Sequence, residues 1–103
     1  MSDRLSQLRT LASADPTDAD VPYMIAQELL KAGDVDGAVA SFDTCLALDA
    51  NYHYARYHKA KALESDGRTA EAIAILREAL PIAQAQNESK AVSELTALLD
   101  ELT

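Results

Sequence analysis

The chain has 103 residues, 49% of them hydrophobic but only 5% aromatic, and its 17 acidic and nine basic side chains leave a formal net charge of −8. Such an acidic balance disfavours sequence-independent nucleic-acid binding and docking to anionic membranes, both of which need clustered lysine and arginine. No run approaches the ~18 consecutive apolar residues of a membrane span, the start has no signal-type apolar run, and the lone Cys45 has no partner for an internal disulfide. These features describe a soluble cytoplasmic protein of one domain, with too few glycines and prolines for long flexible linkers.

In chain order, Leu5, Leu8 and Leu11 predict a helix over residues 2–14 that stops at Asp15-Pro16. Ile25, Ala26 and Leu29 form the apolar stripe of a second helix, near residues 20–32. Lys31-Ala32-Gly33-Asp34 then supplies a stop, a left-handed glycine and a new N-cap. Ala38, Val39, Phe42, Cys45, Leu46 and Leu48 recur at intervals of three and four over 35–48. A fourth helix over 52–65 turns at Glu64-Ser65-Asp66-Gly67, and a fifth carries Ala72, Ile73, Leu76, Ala79 and Leu80. Pro81 lacks a backbone donor and clashes one turn back, so this helix is expected to end or bend near Leu80 and resume to about Gln86. Asn87 is placed to cap a last helix over 88–102. Val92, Leu95, Leu99 and Leu102 lie on one side of it, and Ser93, Glu94, Asp100 and Glu101 on a solvated face.

A shift of 34 residues superimposes much of this pattern. Ala26 pairs with Ala60, Leu29 with Leu63, Gly33 with Gly67, Ala38 with Ala72, Phe42 with Leu76 and Leu46 with Leu80. A fixed period of this length marks an array of helix–turn–helix units, each burying its apolar face on its neighbours. The units run over 19–52 and 53–86, preceded by a half-unit at 2–16 and closed by a capping helix at 87–102. Small residues at 26, 38, 60 and 72 let helix axes approach, so Ala38 and Ala72 are expected to be almost fully buried.

The residues Pro22-x2-Ile25-Ala26-x2-Leu29, then Ala38-x3-Phe42, resemble the tetratricopeptide repeat pattern in relaxed form, as do Lys59-Ala60-x2-Leu63 and Ala72-x3-Leu76. The resemblance covers residues 4–86, with the closing proline of the pattern kept only at Pro16 and charged Arg56 and Lys59 at positions usually apolar. It implies an all-α fold, a right-handed superhelix of antiparallel helix pairs. It also implies a non-catalytic scaffold that binds a partner peptide or protein segment along the first helix of each unit.

On those helices the resemblance points to Tyr23, Gln27 and Leu30, and 34 residues on to Tyr57, Lys61 and Glu64, flanked by Asp20, Met24, Tyr54 and His58. Spacings of three and four place each trio on one helical face, and tyrosine suits recognition because it offers a large rigid ring with a polar tip. Arg56, His58, Lys59 and Lys61 form a basic stretch that could hold an acidic ligand or could compensate Glu64 and Asp66. Family members that clamp a carboxylate terminus use lysine and asparagine where this chain has Tyr23 and Gln27, so that match fails. The acidic stretch from Asp15 to Asp49 reads as solvated face and helix caps, with a basic partner as the alternative, and Cys45 as a small core residue. The residues offer no nucleophile–base pair, phosphate-cradling loop, calcium-loop spacing or paired metal ligands. The expectation is therefore no enzyme, no cofactor and no metal, in a monomer or weak homodimer. A structural, self-associating unit using its terminal helices, with Leu95 and Leu99 at the contact, is the alternative.

Overall fold

A computed structural model describes residues 3–103, all of whose regular structure is helical; Ser2, where the expected half-unit begins, lies outside the described residues. The described chain divides into two compact units, one ending at Ala50 and the other starting at Asn51.

The first unit contains α1 (Asp3–Ala14), α2 (Asp20–Lys31) and α3 (Val35–Leu48), with α2 packed against both of the others. The α1–α2 turn is held by side chains. Thr17 donates from its backbone and its hydroxyl to Asp15 Oδ1, at 3.1 and 2.7 Å, and Asp18 Oδ1 accepts from the Asp20 N–H at 3.0 Å. Asp34 caps α3 by accepting from the Gly37 N–H at 2.9 Å, which satisfies an otherwise orphaned donor. Leu8, Val21, Ile25, Ala26, Leu29, Ala38, Phe42 and Cys45 are buried. Full burial of a ring such as Phe42 contributes roughly 1.5–3 kcal/mol.

The second unit contains α4 (His53–Ser65), α5 (Thr69–Ala85) and α6 (Ser89–Leu102), with α5 packed on both partners and α4 also touching α6. Its buried residues include many alanines: Ala55, Ala60, Ala62, Ala72, Ala79, Ala83 and Ala91, interleaved with Leu63, Leu76, Leu95 and Leu98. The expected burial of Ala38 and Ala72 is met, since neither exposes any surface (0%).

Three turns share one geometry. Gly33 and Gly67 take φ of 82° and 77°, and Asn87 takes 56°, the left-handed conformation that closes a helix C-terminus. After each, the next N–H reaches back five residues: Asp34 to the Leu29 carbonyl, Arg68 to Leu63 and Glu88 to Ala83, at 2.9, 2.8 and 3.1 Å. Asn87 therefore terminates α5. The N-cap of α6 is Glu88, with no side-chain cap bond, so the expected capping by Asn87 is corrected. Asparagine's short polar side chain lets it enter the left-handed region at less cost than other non-glycine residues, which makes it suited to both roles in a sequence.

Pro81 does not break α5, which runs through it to Ala85. Its ring is exposed and the residue one turn back, Arg77, is exposed too, so the carbonyl left without an N–H partner sits on the wet side. Ala83, two residues on, is fully buried at 0% and anchors the continuation. In α6 the buried line is Ala91, Leu95 and Leu98, while Val92, Leu99 and Leu102 are only half-buried, so the apolar face is rotated from the expected one. Leucines on nearly every turn let either phase look amphipathic. Because Leu95 is 1% exposed, it belongs to the core and cannot serve at a contact between copies. Leu11, expected in the stripe with Leu8, is 52% exposed.

Candidate functional site

The residues singled out on the second unit lie at 54, 57, 58 and 61 of α4, one face of the helix by three- and four-residue spacing. The Tyr57 ring is their centre. It meets Tyr54 edge-on at 6.2 Å and 77°, and His58 at 5.2 Å and 83°, while Lys61 Nζ lies over it at 5.5 Å. Edge-to-face packing and a cation on the ring face both follow from the aromatic quadrupole. Glu64, one turn on, is exposed.

Electrostatics sharpen this face. Burial lowers the His58 pKa, Lys61 lowers it further, and the negative charge of Glu94 works the other way. His58 therefore favours its neutral form, and Lys61, the exposed member, supplies the positive charge of the cluster. The Tyr54 hydroxyl donates to Glu94 Oε1 at 3.2 Å, tying the face to α6. Glu94 stands on the side of α6 expected to be fully solvated. The contact spans 40 positions in sequence, outside any repeat or helical spacing.

On α2 of the first unit, Tyr23, Gln27 and Leu30 are all half-buried. The Tyr23 ring meets Phe42 edge-on at 5.9 Å. Burial raises its pKa, and a side-chain hydrogen bond with Gln27 partly offsets that. Beside them, Met24 Sδ accepts from Arg4 Nη2 at 3.8 Å and Asp20 is exposed.

The basic stretch on α4 does not act as one surface. Arg56 is 7% exposed and its Nε reaches Glu78 Oε2 on α5 at 3.4 Å, so it faces the helix pair's interior. Lys59 is half-buried and His58 favours its neutral form. Asp66 meets a cation outside this stretch, Arg68, whose Nη1 lies 3.7 Å from it. Cys45 is fully buried and its thiol is pushed up to about 12, chiefly by that burial, which suits an inert core residue. Among the described residues no three His, Cys, Asp or Glu side chains converge as a metal site, and no helix is long and apolar enough to cross a membrane.

The tetratricopeptide repeat family model matches residues 23–88 of this chain. No curated protein sequence matches it. Among solved structures, a tetratricopeptide repeat domain protein from Salinibacter ruber is similar at 31% identity and a TM-score of 0.78, over 85% of this chain and 89% of that one. The type III secretion chaperone SycD of Yersinia enterocolitica, in complex with a peptide of the translocator YopD, is 22% identical with a TM-score of 0.86, over 97% of this chain and 77% of that one. The TPR2B domain of yeast Sti1, in its pHsp70 complex, is 21% identical with a TM-score of 0.87, over 95% and 78%. The last two likenesses concern the fold alone.

Proposed function

Because the chain belongs to the tetratricopeptide repeat family, we propose that it is a non-catalytic interaction module that holds a partner peptide or protein segment on the first helices of its pairs, α2 and α4. On this reading residues 19–52 and 53–86 are the two repeats, 2–16 a half-repeat and 87–102 the cap. The observation that carries the reading is the cluster of Tyr54, Tyr57, His58 and Lys61, a partly exposed aromatic face with a cation seated on its central ring. Glu64 belongs to the same proposed face of α4, and Tyr23, Gln27 and Leu30 are the proposed contact residues of α2. Support comes also from similar folds whose structures contain bound peptides, SycD with its YopD peptide among them.

Such a face recognises an aromatic or apolar side chain next to a carboxylate: the rings supply area, and Lys61 supplies a screened charge. With so few anchors, affinity belongs in the micromolar range, about −8 kcal/mol. The test is NMR titration of the full chain with a short acidic peptide containing one aromatic residue. Shifts should centre on Tyr54, Tyr57 and Lys61, Tyr57→Ala should weaken binding about tenfold, and Lys61→Gln should flatten its salt dependence. Shifts confined to Ser41, Thr44 and Arg77 would overturn the reading.

A further inference from the structure

The first unit contains a recess of about 310 Å³ where α1, the α1–α2 turn, α2 and α3 meet. Pro22 and Ile25 of α2, both buried, form its floor, and Thr44 and the partly exposed Leu48 of α3 form one wall. Asp15 and Asp18, both exposed, stand at its rim.

The repeat shows what this space accommodates. Thirty-four residues beyond Pro22 is Arg56, and thirty-four beyond Thr44 is Glu78. In the second unit these two meet across the paired helices: the Arg56 stem is buried on α4 and its Nε ends 3.4 Å from Glu78 on α5. The first unit has a ring and a short hydroxyl instead, and the space stays open. Its charge is also the more one-sided, with nine acidic against three basic residues up to Ala50, compared with eight against six afterwards.

We propose that this recess is a second binding site, which takes an arginine or lysine side chain from a basic segment of a partner protein. The aliphatic stem lies on Pro22, Ile25 and Leu48, as cationic side chains pack their stems on apolar surface while the head stays polar. The cation meets the carboxylates of Asp15 and Asp18. Thr17 holds the Asp15 carboxyl below the usual range by two hydrogen bonds, so it stays ionised. Arg9, the one cation among the described lining residues, opposes the incoming charge. The site lies on different residues from the α4 face and selects the opposite charge, so the two readings stand or fall separately.

The test uses fluorescence anisotropy on the full chain with a labelled synthetic peptide carrying one arginine between two leucines, and a counterpart with glutamate in place of the arginine. The arginine peptide should bind at least about tenfold more tightly than the glutamate one, and its binding should weaken as salt rises. The double substitution Pro22→Arg with Thr44→Glu, which installs the second unit's pair, should reduce binding at least about tenfold with the helical circular dichroism unchanged. Arg9→Gln, on an exposed position, should tighten binding several-fold. Equal binding of both peptides, or full binding by the folded double variant, overturns the proposal. So does loss of binding in Tyr57→Ala, or a concentration-dependent dimer that the double variant abolishes, which would make a second copy the occupant. If the double variant loses helicity, Arg9→Gln decides alone, and unchanged or weaker binding by it overturns the proposal.

Discussion

Arg56 and Glu78 form an ion pair with unequal ends: the arginine side chain is 9% exposed while the glutamate side chain is 62% exposed, their Nε and Oε2 3.4 Å apart. The long apolar stem of Arg56 fills a position where the repeat pattern expects a large apolar residue, and the carboxylate meets the guanidinium at the surface. Packing of the stem is thus expected to outweigh the charge, since an ion pair with one wet end contributes little.

Arg56→Met should therefore change stability by less than about 1.5 kcal/mol, because volume and apolar contact are kept. Arg56→Ala removes the stem and leaves a cavity, at a cost of about 2–4 kcal/mol. Urea denaturation of both variants checks this; equal losses would mean that the charge, rather than the stem, holds the position.

Ala38 and Ala72 expose no surface in the two helix pairs. Leucine at either position overpacks the contact, with an expected loss of about 1–3 kcal/mol out of the ~5–15 kcal/mol typical of a domain. A clear drop in melting temperature is the outcome to look for, and the exposed Ala40 mutated to leucine is the control that should hardly move it.

At the C-termini of α4 and α5, Gly67 (φ 77°) and Asn87 (φ 56°) take the same left-handed geometry. A Cβ on Gly67 would meet nothing within 4 Å, so Gly67→Ala carries only backbone strain, about 1–2 kcal/mol. Asn87→Gly relieves part of that strain and should stabilise by up to about 1 kcal/mol. Opposite signs in thermal melts of the two variants are the expected result.

His58 has its pKa lowered from 6.5 by burial first, then by Lys61, against the opposing charge of Glu94. The folded protein therefore binds the His58 proton less readily than the unfolded chain, so this group makes stability fall as pH drops below about 6.5. Unfolding followed from about pH 7 to 5.5 should show this loss in the parent, and His58→Gln should reduce it. Equal slopes in both would remove His58 from the account.

Much of the architecture was legible from local signals. The turns at Gly33 and Gly67 were readable because few other residues enter the left-handed region, and Asp34 followed Gly33 as a cap residue. An asparagine between two helices suits an N-cap and a left-handed terminator equally, so the linear pattern does not separate these two roles for Asn87. Pro81 is expected to end or bend α5 near Leu80, with helix resuming after it; the helix runs on to Ala85 with the proline on its exposed side.

What the sequence alone determined was the helical repeat itself: its 34-residue period, the small residues at Ala38 and Ala72, and the α4 spacing that brings Tyr54, Tyr57, His58 and Lys61 to one face. These depend on backbone geometry and on spacings within a helix or one period, which a linear pattern encodes. Only the tertiary structure decided that Arg56 turns inward to Glu78, that Glu94 accepts from Tyr54, that Ala91, Leu95 and Leu98 are the buried line of α6, and that an open recess lies over Pro22. Each of these depends on which side chain stands on the facing helix. Burial and charge pairing are properties of that neighbour as much as of the residue itself.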